Sequence, residues 1–282
     1  INTSPFVGKE GKFVTSRQLR DRLFKEASYN IALRIESMED PDKFKVSGRG
    51  ELQLSIFIET IRREGFELAV SQPQVIIREI DGIQQEPYES LVVDVEEGHQ
   101  GAIMQRLGDR RGQIQHMLPD GKGRVRLEYM IPARGLIGFH GEFMTTTSGT
   151  GILTHVFDHY GPMVTNIELG RKSGVLISNC AGKTSGYSLF NLQPRGKLFI
   201  GPQAEVYEGM IVGIHSRDND LVVNVTKEKQ LTNVRASGTD ENIILTPPIP
   251  LTLEYALEFI NEDELVEVTP KSIRLRKKYL KE

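Results

Sequence analysis

Two stretches of this 282-residue chain carry the same succession of helix and strand signals, and that succession admits few folds. In the first, Ser16 is a candidate N-cap for a helix that places Leu19, Leu23 and Phe24 on one face and ends near Ala27. Ile31–Ile35 then alternates as a strand, Asp40-Pro41-Asp42 makes a turn, and Lys43–Val46 alternates again with Phe44 and Val46 inward. After Gly48-Arg49-Gly50, apolar residues recur at Leu52, Leu54, Ile56, Phe57, Ile58 and Ile61, the spacing of a helix running to about Glu64, with Gly65 as its stop. Phe66–Val70 reads as a strand, and Val75–Ile77 follows Pro73. With one more strand at or before residue 1, the order is β-α-β-β-α-β, the split ferredoxin-like unit.

The second stretch runs from 86 to about 165. Ser90–Val95 is a strand and Gly98–Leu107 a helix ended by glycines. Gln113–Leu118 and Arg124–Tyr129 form a hairpin across Pro119-Asp120-Gly121-Lys122-Gly123. A glycine-spotted helix from Arg134-Gly135 to about Thr147 and a strand from Ile152 to Phe157 complete it. Arg49-Gly50 and Arg134-Gly135, 85 residues apart, occupy matching places, which reads as an internal repeat. From 166 onward short β segments dominate: 174–179, 187–192, 197–200, 205–207, 211–215 and 221–225, then a helix over 251–260 and strands at 265–268 and 272–275. That pattern suits a small barrel or sandwich. The expected architecture is α+β: ferredoxin-like units at 1–82 and 83–165, then a mostly β unit at 166–282 with one or two helices. The opening Ile1-Asn2-Thr3-Ser4-Pro5 reads as a strand end entering a turn, so the chain is expected to be a piece of a longer protein.

Reactive signatures are missing. Ala181-Gly182-Lys183-Thr184 is the nearest approach to a phosphate loop, but the first glycine of that motif would fall on Ile177. Gly48-Arg49-Gly50 lacks the third glycine of a dinucleotide fingerprint, and no serine sits in a nucleophile elbow. His155 and His159 share helical i, i+4 spacing, yet their surroundings read as a strand, where they would lie about 13 Å apart. They are expected to be structural or partner-facing, so neither a catalytic nor a metal-binding residue is assigned. A single cysteine, Cys180, leaves no internal disulfide or all-cysteine zinc site, and no apolar run is long enough to cross a membrane. A net charge of -3 excludes a strongly basic nucleic-acid binder on bulk composition.

Charge is nevertheless segregated in the last third. Asp240, Glu241, Glu254, Glu258, Glu262, Asp263, Glu264 and Glu267 run without a cation. Lys271, Arg274, Arg276, Lys277, Lys278 and Lys281 follow without an acid. Before both, Asn224–Thr239 combines amides, hydroxyls and the cations Lys227, Lys229 and Arg235 against Glu228. Such donors contact phosphate and sugar oxygens, though a solvated loop has the same composition. The basic run carries the same two readings.

Four segments carry a resemblance. Ser4–Ser16 (SPFVGKEGKFVTS), Val46–Leu52 (VSGRGEL), Ile131–Gly138 (IPARGLIG) and Arg235–Glu241 (RASGTDE) resemble the BipA, or TypA, family of bacterial translational GTPases, relatives of elongation factor G. The resemblance covers essentially the whole chain. It implies that the two ferredoxin-like units correspond to elongation-factor domains three and five. It places the GTPase domain, with its GTP and magnesium, outside these residues, so no cofactor is expected here. It further implies ribosome binding, with a loop matching Asn224–Glu241 approaching large-subunit RNA and the acceptor end of A-site tRNA. On that footing Lys227, Lys229 and Arg235 are candidate phosphate contacts, and Asn233, Ser237 and Thr239 candidate sugar or base contacts. The expected partners are large-subunit rRNA, A-site tRNA and ribosomal proteins, for a cytoplasmic monomer with no membrane association. Links to ribosome biogenesis and stress responses are implied in the same way. The alternative is a protein-interaction module in which the acidic 240–267 stretch and the ferredoxin-like surfaces dock ribosomal proteins or the GTPase domain.

Overall fold

The computed structural model describes residues 1–165, 167, 170–171, 173–228 and 244–280. In chain order the first elements are α1 (Ser16–Tyr29), β1 (Arg34–Ser37), β2 (Phe44–Ser47), α2 (Glu51–Arg63) and β3 (Leu68–Ser71). Next come β4 (Arg78–Ile80), β5 (Ile83–Glu96), α3 (Glu97–Asp109), β6 (Gln113–Pro119), β7 (Arg124–Pro132), α4 (Phe139–Thr146) and β8 (Ile152–Pro162). The last third holds β9 (Val175–Ser178), β10 (Gly182–Lys183), α5 (Gly186–Leu192), β11 (Gly196–Leu198), β12 (Glu205–Val206), β13 (Met210–His215), β14 (Leu221–Val223), α6 (Leu253–Phe259), β15 (Glu264–Val268) and β16 (Ile273–Lys277). The architecture is mixed α+β. Residues 1–72 and 172–282 belong to one compact unit, residues 73–171 to another.

In the 73–171 unit the antiparallel sheet runs β6-β7-β5-β8, with β4 also paired to the start of β5. Alternation along β5 sends Leu91, Val93 and Val95 to one face, where they are fully buried against Ile103 and Leu107 of α3 and Phe139 and Phe143 of α4. Each such side chain contributes about 1.5–3 kcal/mol by leaving water. The opposite face carries the exposed Ile152, Val156 and Leu118. Buried Glu86 accepts hydrogen bonds from the Arg134 guanidinium and from Val164 N–H (2.7 Å), and Arg134 also donates to the Val164 carbonyl. A Cβ on Gly135 would press on the Arg110 carbonyl oxygen at 2.8 Å, so this glycine permits a close backbone approach. Gly50, by contrast, has open space around it, and the Arg49 backbone N–H binds Gln53. The two Arg-Gly dipeptides therefore do different work at matching places.

Several expected elements differ from the observed ones. Thr15, not Ser16, caps α1, because Gln18 completes a reciprocal capping box with it. The expected 75–77 strand is absent; Pro73 and Gln74 lead instead to β4, which pairs within the 73–171 unit. The expected 187–192 strand is helix α5, because Ser185 accepts the Ser188 N–H as an N-cap. The helix expected from Arg134 is a 3-10 turn at Ala133–Leu136, then α4 after a left-handed Gly138.

The other unit is an open mixed sheet in the order β14-β9-β13-β16-β15-β3, with β11 also on β13. β14 runs parallel to β9, and β3 joins β15 through Leu68↔Val268 to Ser71↔Leu265. Residues expected in separate units thus share one sheet. Helices α1, α2 and α6 cover it through Leu23, Phe57, Ile61, Ala256 and Ile260. The 2–12 segment is strapped down by two buried carboxylates. Glu67 accepts N–H bonds from Gly8 (2.9 Å), Glu10 (3.1 Å) and Gly11 (2.6 Å), plus the Asn2 amide. Glu267 accepts from Asn2, Ser4, Tyr207 and Arg274.

Candidate nucleic-acid interface

Of the six residues assigned to RNA, Lys227 is described; Lys229, Asn233, Arg235, Ser237 and Thr239 lie outside the described residues. Lys227 follows directly on a rigid base. Val225 is fully buried in the core, and its carbonyl accepts the Ser185 N–H (3.0 Å). The hydroxyls of Ser185 (2.6 Å) and Ser188 (2.8 Å) both donate to the Lys227 carbonyl. The Asn224 side chain accepts from Thr226 N–H (3.0 Å), a local turn of the kind short amides make. The Lys227 backbone is therefore fixed while its ammonium projects from an exposed residue. Sequence reasoning missed Ser185 and Ser188 because the apolar Tyr187, Leu189 and Phe190 imitate a strand; the Ser-x-x-Ser spacing of a capped helix was the available signal.

The Ala181–Thr184 segment packs beside this base. It is extended rather than looped: Gly182 and Lys183 pair antiparallel with Val206 and Glu205, and Thr184 N–H donates to the Ala204 carbonyl. The Thr184 hydroxyl donates to the Gly201 carbonyl (2.7 Å) and accepts from Ala204 N–H. A phosphate cradle needs a loop of N–H groups converging on one point, which a paired, extended segment does not supply, so the segment does not fit a nucleotide.

The end of the acidic run and the middle of the basic run form the two strands of one hairpin, while Glu254 and Glu258 lie on α6 and Asp240 and Glu241 lie outside the described residues. β15 and β16 pair Glu264↔Lys277 and Glu267↔Arg274. Glu264 and Glu267 are fully buried, and Arg276 is nearly so. Arg274 bonds Glu267 and Glu10. The expected acidic docking surface is thus partly interior, and Arg274, Arg276 and Lys277 of the basic run are consumed within the fold. Lys271 and Lys278 remain exposed. Asp220, Asp263 and Glu264 form the one metal-like carboxylate cluster among the described residues, but the Lys277 ammonium lies among them at 2.6, 2.7 and 3.0 Å. Burial works against that charge, yet the three carboxylates outweigh it and hold Lys277 above the ordinary lysine range. The cluster already has its cation.

His155 and His159 lie on strand β8. His155 contacts Glu89, His159 bonds Asp158 (2.6 Å), and the His159 ring stacks on Tyr88. No helix among the described residues is long and apolar enough to cross a membrane.

Residues 83–169 match the model of the elongation factor G C-terminus, and residues 173–282 that of the TypA/BipA C-terminal domain. The chain is 65% identical over 282 residues to the large ribosomal subunit assembly factors BipA of Escherichia coli K12 and Salmonella typhimurium, and 63% identical over 283 residues to that of Haemophilus influenzae. All of this chain is covered, and 46% of each relative, so it spans about half their length. An elongation-factor-G-type unit joined to a TypA/BipA C-terminal domain, at this identity along every residue, makes the chain a member of the BipA family.

Proposed function

We propose that this chain is the ribosome-contacting portion of a translational GTPase, and that it meets large-subunit rRNA and A-site tRNA through the segment that begins at Asn224. The observation that carries this reading is Lys227, an exposed cation whose backbone is clamped by Ser185 and Ser188 at the root of a segment rich in amides and hydroxyls. A fixed root spares part of the ordering cost when such a segment binds. Lys227, Lys229 and Arg235 would neutralise phosphates; Asn233, Ser237 and Thr239 would bond sugars or bases. GTP, magnesium and hydrolysis belong, on this reading, to the part of the protein outside this chain, and the role is in assembly of the large subunit, which is what the relatives are named for.

A protein-docking reading is favoured by a different observation. A groove between α1 and α2, lined by Glu26, Leu33, Leu52, Ile56 and Phe57, leaves Leu52 70% and Ile56 59% exposed and presents no cation to a phosphate. Cosedimentation of the chain with intact large subunits and with deproteinised large-subunit RNA separates the two. RNA contact predicts binding to both, weakened by salt; binding to intact subunits alone refutes it in favour of protein docking.

A further inference from the structure

The Gly182-Lys183-Thr184 tripeptide is left without a role once a nucleotide is excluded. We infer that Lys183 is a second phosphate contact, which makes the RNA-binding surface composite: one cation from the β10 strand and one, Lys227, from the root of the 224 segment. This rests on the proposed RNA-contact function and extends it to a residue on another element.

The placement follows from the backbone. The 179–185 segment runs beside 223–227, joined by Asn179 N–H to the Val223 carbonyl (3.0 Å) and Ser185 N–H to the Val225 carbonyl (3.0 Å). A Cβ on Gly182 would sit 3.2 Å from the Thr226 methyl, so a glycine here lets the two segments close up. Lys183 is two residues from Ser185, whose hydroxyl touches the Lys227 carbonyl. Adding those links puts the two lysine α-carbons within about 15 Å of each other. Long lysine side chains can then reach phosphates a few nucleotides apart on one strand.

The electrostatics leave Lys183 available. Its cross-strand neighbour is Glu205, the natural acid to neutralise it. Glu205 instead pairs with Lys9 at 3.2 Å. Among the described residues neither Lys183 nor Lys227 has an ion-pair partner, whereas Arg274 and Lys277 are committed within the fold. Thr184, next in sequence, is buried and doubly hydrogen-bonded, so the backbone carrying Lys183 is anchored. A cation with no ion-pair partner among the described residues, on an anchored strand, suits a point-charge phosphate contact.

The test measures affinity of the labelled chain for deproteinised large-subunit RNA and for intact large subunits between about 50 and 200 mM salt. The variants are Lys183→Gln, Lys227→Gln, Lys183→Arg and a control, Lys25→Gln, exposed on α1. Lys183→Gln is expected to weaken both interactions roughly fivefold and to reduce the log–log salt slope by about 0.7–0.9. Lys183→Arg should restore the slope, and Lys25→Gln should match the parent. If Lys183→Gln binds like the parent while Lys227→Gln is weakened, this inference falls and the RNA-contact function stands. If the parent itself fails to bind deproteinised RNA, the function falls and takes the inference with it.

Discussion

Replacing Glu67 by glutamine should loosen the 2–12 segment. The carboxylate is 1% exposed, and each of its oxygens accepts two donors: Gly8 N–H and the Asn2 amide on one, Glu10 and Gly11 N–H on the other. In Glu67→Gln one oxygen becomes an NH2 that faces two N–H donors. Hydrogen bonds to a charged acceptor contribute about 1.5–3 kcal/mol each, and a buried group left unpaired costs about 1–3, so a net loss of about 3 kcal/mol is expected. For a unit of this size that lowers Tm by roughly 6–12 °C. Burial of Glu67 raises its pKa, but the N–H donors more than offset that and leave it below the ordinary glutamate value. A depressed folded pKa stabilises above the unfolded value, about 4.3, and the contribution is lost as pH falls through the folded pKa. The parent should therefore lose stability in acid, and Glu67→Gln should show a shallower acid decline from a lower plateau. Thermal unfolding across pH 3–7, with trypsin cleavage at the exposed Lys9 and Lys12 as a local probe, measures both. A variant melting within about 1 °C of the parent, with unchanged cleavage, refutes the reasoning.

Three other outcomes follow from particular contacts. Thr15→Ala removes the capping box of α1 and should cost about 1 kcal/mol in urea unfolding, whereas Ser16→Ala should cost much less. Glu86→Gln breaks the buried pair with Arg134 and should cost about 3–5 kcal/mol, seen as faster amide exchange in β5, β7 and β8. Gly196→Ala drives a Cβ into the Ile214 carbonyl oxygen, so destabilisation of about 3 kcal/mol or more is expected from thermal melts.

The order of elements was legible where the periodicity was strong. Alternation marked Leu91, Val93 and Val95, and helical spacing marked Phe57 and Ile61, because one buried face imposes its own period. Local competition defeated the reading at α5, where a serine cap outweighs the strand-like run that follows it. Long-range pairing defeated it in the last third: Glu264 and Glu267 look like a solvated acidic stretch until Lys277 and Arg274 are placed across from them in the next strand. The same holds for β3, whose partner β15 lies almost 200 residues away and left no local trace. The site was legible only as composition around Lys227; its clamp by Ser185 and Ser188 is tertiary.

Ultraviolet crosslinking of this chain to large ribosomal subunits, with linked peptides mapped by mass spectrometry, tests the central claim most directly. Nucleotides attached to peptides spanning Asn179–Lys183 and Asn224–Thr239 are the expected result. Efficient binding with crosslinks to ribosomal proteins alone, and none to RNA from these peptides, would contradict it.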